Sequence, residues 1–310
     1  MSYPTSGALS RRHFVFSGLA ALGATSLLPR LALSEALSAD PAAMAFDGPT
    51  LLAATASGIL RHDGAGWALM FSGATSALAT HPDRPGVIFA GGPDGRLHRS
   101  TDAGQNWTQT DAGLPGAAIL ALTLGARSPQ ILYAAVEGDG LWRSEDDGAS
   151  WEFVMDRPYL SGTEHDVLSL VSVAHETGMG GIWLYAGTAA GLTRVPDCFC
   201  RWQDVVAGDA MDALIAGKTP AKAASLPEEP LQTLVAAPGA PGQLYAALPS
   251  GIWRSTDAGV NWARVSNEIA TALTVDPDDP QHVVAAVAAR LRTSRDGGAT
   301  WTPFPNSKES

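Results

Sequence analysis

Residues 144–151 read SEDDGASW, and the same pattern, S-x-D-x-G-x-x-W, returns three more times along the chain. The other copies are STDAGQNW at 100–107, STDAGVNW at 255–262 and SRDGGATW at 294–301. Shortened copies occur at 62–67 (HDGAGW) and 197–202 (DCFCRW). The six tryptophans follow one another at intervals of about 40 to 60 residues, and such a period indicates a repeat architecture.

Each copy closes a unit with the same plan upstream. An aliphatic residue followed two positions later by arginine precedes the pattern, as in Leu97/Arg99 and Leu141/Arg143. Before that come two apolar runs separated by a turn, as at 78–90. Four short antiparallel strands in about 40 residues are typical of one propeller blade. The sequence therefore predicts an all-β fold, a single β-propeller of about six four-stranded blades.

The repeated turn resembles the Asp box, or BNR repeat, of sialidases, sortilin-type receptors and photosystem II assembly factors of the propeller type. Its aspartate can accept several backbone N–H bonds inside a tight hairpin, its glycine permits a positive φ, and its tryptophan packs on the blade. We therefore expect structural roles for Asp102, Trp107, Asp146, Trp151, Asp257, Trp262, Asp296 and Trp301. The resemblance implies that these turns lie on the face away from a ligand site.

The arginines that recur before the turns admit two interpretations. They could form an anion-binding ring, or each could serve its own blade's turn or a pair with the neighbouring blade. The same position in every blade favours the structural role.

Composition excludes one class of partner. The 310-residue chain is 45% hydrophobic, carries a formal net charge of −11 and has three lysines, so a nucleic-acid-binding surface is not expected. No stretch after the N-terminal segment approaches 18 uninterrupted apolar residues, so no membrane span is expected in the mature chain.

The N-terminus reads as a targeting segment. Residues 10–16 are SRRHFVF and precede a weakly apolar run to Leu28, which resembles a twin-arginine signal peptide. This predicts a signal peptide and linker at 1–40, a propeller domain at 41–310, and a periplasmic or secreted location. A Sec signal and an uncleaved anchor are the alternatives.

Two segments depart from the repeat and are candidates for a binding site, because insertions in repeat proteins map to loops on one face. One is the enlarged connection around residues 157–166, and the other is an insertion at 204–230. Both join an outer strand to the next inner strand, so we expect them on the face opposite the repeated turns. The candidate binding residues are Arg157, Tyr159, Glu164, His165, Asp166 and Gln232. A solvated acidic loop is the alternative; no metal, cofactor or catalytic residue is predicted.

The two cysteines of the chain, Cys198 and Cys200, interrupt the fourth turn. In an oxidising compartment this spacing predicts a small disulfide that staples the hairpin. A redox or copper-binding role is the alternative.

The function predicted from the sequence is non-catalytic. Sialidases carry an Arg-Ile-Pro motif, an arginine triad and a Tyr/Glu pair, and the Arg-Ile-Pro motif does not occur here. Propeller xyloglucanases carry Asp boxes in two large domains, whereas this chain has room for one. We expect a binding or assembly module whose partner is another protein or a membrane or redox complex. The alternative is a glycoside hydrolase, sialidase-like or glucanase-like, that binds carbohydrate on the loop face.

Overall fold

The computed structural model describes residues 37, 39–64, 66–175, 181–205 and 224–305. Most of the predicted signal segment, residues 1–36 and 38, and residues 206–223 of the predicted insertion lie outside the described residues. The fold presented below is that of the unit Ala32–Ser310. Within its described part no helix has the length and apolar character that crossing a membrane requires.

Six small antiparallel sheets follow one another along the chain, each built from consecutive strands. Blade 1 holds β1 (Ala43–Asp47), β2 (Thr50–Thr55), β3 (Gly58–His62) and β4 (Trp67–Ser72). Blade 2 holds β5 (Ala77–Ala79), β6 (Ile88–Gly91), β7 (Leu97–Ser100) and β8 (Thr108–Gln109). Blade 3 holds β9 (Ile119–Gly125), β10 (Ser128–Val136), β11 (Gly140–Ser144) and β12 (Glu152–Met155).

The chain then forms the short strands β13 (Tyr159–Leu160) and β14 (Thr163–Glu164) before the next blade. Blade 4 holds β15 (Val167–Val173), β16 (Trp183–Thr188) and β17 (Gly191–Pro196). Blade 5 holds β18 (Thr233–Ala237), β19 (Ala240–Leu248), β20 (Gly251–Ser255) and β21 (Ala263–Ser266). Blade 6 holds β22 (Ala272–Asp276), β23 (Asp279–Val287), β24 (Arg290–Ser294) and β25 (Thr302–Pro303).

The all-β six-bladed propeller predicted from the repeat is confirmed. Blade 4 differs in detail from the predicted plan, because its fourth strand is reduced to a single bridge between Arg194 and Gln203. The shortened fourth turn explains this, since it lacks the serine and the glycine that shape the turn in the other copies.

The connections define two faces of the ring. Turns between the third and fourth strands, which hold the S-x-D-x-G-x-x-W pattern, lie at one end of each blade; we call this end the turn face. Because antiparallel strands alternate in direction, each connection from an outer strand to the next inner strand lies at the opposite end, the loop face. The segment from β12 to β15 therefore belongs to the loop face. The described ends of the predicted insertion differ from the expectation, because Ala224 exchanges hydrogen bonds with Asn261 and Trp262 in the turn of blade 5, on the turn face.

Glycine begins the third strand in four blades, at Gly58, Gly140, Gly191 and Gly251, with φ between 116° and 143°. At three of them a Cβ would lie 1.9–2.4 Å from a carbonyl oxygen near the end of the outer strand, of Phe71, Met155 or Ser266. Only glycine permits this close approach and this backbone conformation.

Apolar seams between neighbouring blades form the core. Six buried clusters occur, and each draws its residues from two adjacent sheets. The cluster that joins blades 6 and 1 contains Met44, Phe46 and Val284, with Leu37 and Phe304 packed at its ends. In the described residues the first and last blades each have four strands of their own, so the ring closes by side-chain packing without strand exchange.

Each of the four full repeat turns is held by the same hydrogen bonds. The serine hydroxyl donates to the aspartate Oδ1 at 2.8–2.9 Å. The glycine N–H donates to that serine oxygen at 2.8–2.9 Å. The N–H four residues after the aspartate donates to Oδ1 at 2.8–2.9 Å. The hydroxyls of Ser150 and Thr300 also donate to Oδ2 of Asp146 and Asp296 at 2.6 Å. These hydroxyl bonds, together with the backbone and serine bonds, favour the ionised form and lower the pKa of both carboxyls to about 2.

The turns predict an acid-dependent loss of stability. A carboxylate whose pKa is lowered on folding contributes stability that is present above its unfolded pKa, 3.8, and is lost as the pH falls to about 2. Asp296→Asn should therefore be less stable than the wild type at pH 7 and should lose less stability between pH 4 and pH 2. Urea unfolding at a series of pH values measures both effects.

Asp278→Asn is the matched control, because Asp278 is exposed and lies outside the repeat turns. It should leave the pH dependence unchanged. Equal pH slopes for Asp296→Asn and the wild type would contradict the assignment.

Candidate functional site

The loop-face segment between β12 and β15 folds as a small hairpin. Its strands pair Tyr159 with Glu164 and Leu160 with Thr163. Ser161 and Gly162 form the tip with positive φ values of 51° and 88°. This hairpin orders a segment that the sequence pattern predicted only as an enlarged connection.

Arg157 holds two carboxylates of the hairpin together. Its Nη2 donates to Glu164 Oε2 at 2.5 Å, and its Nη1 lies 3.5 Å from Asp166 Oδ1. The exposed side-chain fractions are 27% for Arg157, 52% for Glu164 and 30% for Asp166, so the cluster faces solvent. The hydrogen bond that Arg157 donates to Glu164, together with the charges of Glu164 and Asp166, raises the pKa of Arg157.

Asp166 also ties the hairpin to blade 3. The N–H of Gly138, in the turn between β10 and β11, donates to Asp166 Oδ1 at 2.9 Å. In the same turn Asp139 accepts a hydrogen bond from the Trp142 indole at 2.5 Å. This turn was not among the predicted site residues; its signal in the sequence is the Gly-Asp-Gly run at 138–140, which is typical of a tight turn.

The remaining candidate residues take different positions. Tyr159 is 68% exposed, and its hydroxyl donates to the Gly162 carbonyl at 2.7 Å, which fixes the ring at the surface. His165 places Nε2 3.1 Å from the Leu160 carbonyl and is used within the hairpin. The structure therefore brings Arg157, Glu164 and Asp166 together and places Tyr159 beside them.

Gln232 lies apart from this cluster. It lines a central cavity of about 210 Å³ formed by the six inner strands, whose other lining side chains are mostly Ala, Leu and Val. None of the hairpin residues lines that cavity. A second cavity of about 370 Å³ opens at the turn face and includes His81, Thr123 and Ser172. In the described part of the chain no three His, Cys, Asp or Glu side chains converge to hold a metal ion.

The recurrent arginines contact partners in their own blade or in the next blade. Arg99 and Arg84 of blade 2 both pair with Asp147 in the turn of blade 3, Arg99 at 3.1 Å. Arg194 stacks over the Trp183 ring at 4.1 Å, and Arg254 lies 5.9 Å from the centre of the Tyr245 ring. These partners support the structural interpretation over an anion-binding ring.

The buried tyrosines do not provide a nucleophile of the sialidase kind. Burial raises the pKa of Tyr133 to about 12 and also raises the pKa of Tyr185 and Tyr245. The Tyr185 hydroxyl donates to the Ala258 carbonyl of the next blade at 2.8 Å. The three rings therefore stay protonated at neutral pH and serve packing between blades.

In the fourth turn Cys198 and Cys200 form a disulfide. Phe199 between them has a positive φ of 51° and packs near Tyr133, with ring centres 5.9 Å apart. Trp202 donates its indole N–H to the Asp156 carbonyl at 2.8 Å, one residue before Arg157.

The chain is similar to a xyloglucanase in sequence and to several propeller proteins in fold. A xyloglucanase from Paenibacillus sp is 26% identical over 312 residues, covering 79% of this chain and 28% of the relative. A GH74 enzyme from Niastella koreensis has a TM-score of 0.62 and 15% identity, covering 87% of this chain and 46% of that chain. A structure of YCF48 bound to D1 peptide has a TM-score of 0.51 and 17% identity, and the match covers 89% of this chain and 86% of that chain. No protein-family profile matches the chain.

These findings correct the function predicted from the sequence. The prediction of a non-catalytic binding or assembly module is wrong, because the sequence relative is a xyloglucanase and GH74 enzymes share the fold. The absence of the sialidase residues excluded one catalytic set and not glycoside hydrolysis in general. The chain spans about 28% of the length of the xyloglucanase that it matches.

The position of the arginines predicts that Arg99 contributes to stability. Arg99→Met removes the ion pair with Asp147, so the free energy of unfolding should fall by about 1–2 kcal/mol. Thermal unfolding measures the loss. Arg96→Met is the matched control: Arg96 is 56% exposed and lies 3.6 Å from exposed Asp94, so its removal should change little. A variant at Arg99 as stable as the wild type would contradict the role.

Proposed function

We propose that this chain is a glycoside hydrolase of the propeller type that acts on a β-glucan such as xyloglucan through its loop face. The observation that carries the proposal is the similarity to a xyloglucanase over 79% of the chain. The hairpin cluster of Arg157, Glu164 and Asp166 supplies the chemistry, since glycoside hydrolysis uses two carboxyl groups at one bond.

The contacts with Arg157 set an upper limit on the distance between the two carboxylates. Because both carboxylates contact one guanidinium, at 2.5 and 3.5 Å, their nearest oxygens lie no more than about 9 Å apart. Carboxyl pairs about 5 to 9.5 Å apart act on one glycosidic bond, and the larger spacings leave room for a water molecule.

Asp166 and Glu164 have different surroundings, and on this basis we give Asp166 the role of general base and Glu164 that of general acid. The hydrogen bond from the Gly138 N–H orients Asp166, which in the proposal accepts a proton from the attacking water. Glu164 is more exposed and in the proposal donates a proton to the leaving oxygen. The water oxygen bonds to the anomeric carbon as the bond to the leaving oxygen breaks, and its remaining proton stays on the new sugar hydroxyl. The proton taken up by Asp166 then returns through solvent to Glu164, which resets both groups.

Tyr159 provides a binding platform beside the carboxylates. Its ring is exposed and held in place by the hydrogen bond to Gly162, so it offers a fixed apolar face to a sugar ring. A pre-positioned ring loses little conformational entropy on binding, which favours affinity.

Hydrolysis assays on xyloglucan and on unsubstituted β-glucans test the proposal. The wild type should release reducing ends, and Glu164→Gln or Asp166→Asn should lower kcat/KM by about 100-fold or more. Glu152→Gln is the matched control. Glu152 is likewise exposed and accepts from Arg143 Nε at 2.8 Å, but it lies on β12 outside the hairpin. Absence of turnover by the wild type, or equal losses in all three variants, would contradict the proposal.

We also propose export by the twin-arginine route. The SRRHFVF segment at 10–16 supports it, and the disulfide between Cys198 and Cys200 suits an oxidising compartment. Replacing Arg11 and Arg12 by lysine should retain the full-length precursor in the cytoplasm, which cell fractionation measures. Replacing Arg30 by lysine is the control. Equal export of all three forms would exclude the route.

A further inference from the structure

The Cys198–Cys200 disulfide stands in the turn of blade 4, where the four full repeat turns have a hydrogen bond between serine and aspartate. Alignment on the turn tryptophan puts Val195 at the serine position and Phe199 at the glycine position. Valine offers no hydroxyl, so the serine hydrogen bonds of the other turns cannot form here. The disulfide, with a sequence separation of 2, joins the two sides of Phe199 instead.

Both cysteines are exposed at the surface of the turn. Exposure matters because thiol–disulfide exchange requires a thiolate to reach a sulfur atom. Structural disulfides are commonly buried among packed side chains, and this one is open to solvent on the turn face.

The backbone inside the bridge is held in an unfavourable conformation. Phe199 has a φ of 51°, a region that side chains with a Cβ rarely adopt. In the four full turns a glycine occupies this position with φ between 83° and 92°. Opening the bridge would therefore allow Phe199 to relax toward a common backbone conformation.

Two arginines neighbour the bridged segment. Arg201 follows Cys200 directly, and the Arg143 guanidinium lies 5.7 Å from the centre of the Phe199 ring. A cation beside a cysteine stabilises the thiolate that leaves when the bridge is attacked, and this speeds exchange.

We propose that Cys198–Cys200 is a thiol–disulfide exchange site whose substrate is a dithiol, either a small molecule or a protein. One thiolate of the dithiol attacks the sulfur of Cys198, forms a mixed disulfide and releases Cys200 as a thiolate, which takes up a proton. The second thiol of the dithiol then displaces Cys198. The bridge gains two electrons and two protons, and the dithiol becomes a disulfide.

Reduction has a defined structural consequence. Once the bridge opens, Phe199 can leave its place against Tyr133 and Arg143 of blade 3, which lie 5.9 and 5.7 Å from the centre of its ring. The turn of blade 4 then loosens while the apolar seam between the two blades, formed by residues such as Leu141 and Leu184, persists.

Reduction of the folded full-length chain by dithiothreitol at neutral pH tests the site. Alkylation and mass spectrometry should find two thiols per chain while circular dichroism shows unchanged β-structure. Hydrogen exchange should increase at residues 197–203, and oxidised glutathione should restore the bridge. If the disulfide is reduced only after the protein unfolds, the proposal is wrong and the disulfide has a structural role only.

Charge variants separate exchange chemistry from simple exposure. Arg201→Ala should slow reduction by roughly threefold, because the leaving thiolate loses its neighbouring cation. Arg295→Ala is the matched control, since Arg295 is also exposed in a repeat turn but lies in blade 6. Equal rates for both variants would contradict the role of Arg201. These readouts do not depend on glycan hydrolysis, so they are independent of the proposed function.

Discussion

A four-stranded sheet with two apolar faces is stable only when each face is covered. In this protein the two neighbouring blades cover them, and the six buried clusters are the surfaces at which this occurs. Tyr185 and Tyr245 each add a hydrogen bond to one of these seams, because their hydroxyls donate to carbonyl groups of the next blade. The position of every loop on either face follows from this ring.

The sequence was sufficient to predict the ring because its signals are local and repeated. The S-x-D-x-G-x-x-W turns determine where the third strand ends, and the hydrogen bonds of Asp146 explain why these residues recur. The hairpin at 157–166 could not be predicted in the same way. Its carboxylates are two residues apart, but their meeting at Arg157 depends on a two-residue tip and on the N–H of Gly138 in another blade.

The functional prediction failed for a related reason. The prediction rested on the catalytic residues of sialidases, and their Arg-Ile-Pro motif does not occur in the chain. Glycoside hydrolysis needs only two carboxyl groups at a suitable distance, and loops supply them with no fixed sequence pattern. For the arginines, recurrence at the same position of each blade favours a structural role, and Arg99 and Arg194 do contact Asp147 and the Trp183 ring.

Closure of the ring by packing alone has an evolutionary consequence. Leu37 and Phe304 meet in one cluster, and every blade is encoded by an uninterrupted stretch of the chain. An in-frame duplication or deletion of one repeat would therefore add or remove a whole blade and leave no unpaired half-sheet at either end. Architectures that share a blade between the two termini lack this freedom. Gene rearrangement could vary the blade number here while each hairpin, including the one that carries Glu164 and Asp166, is inherited intact.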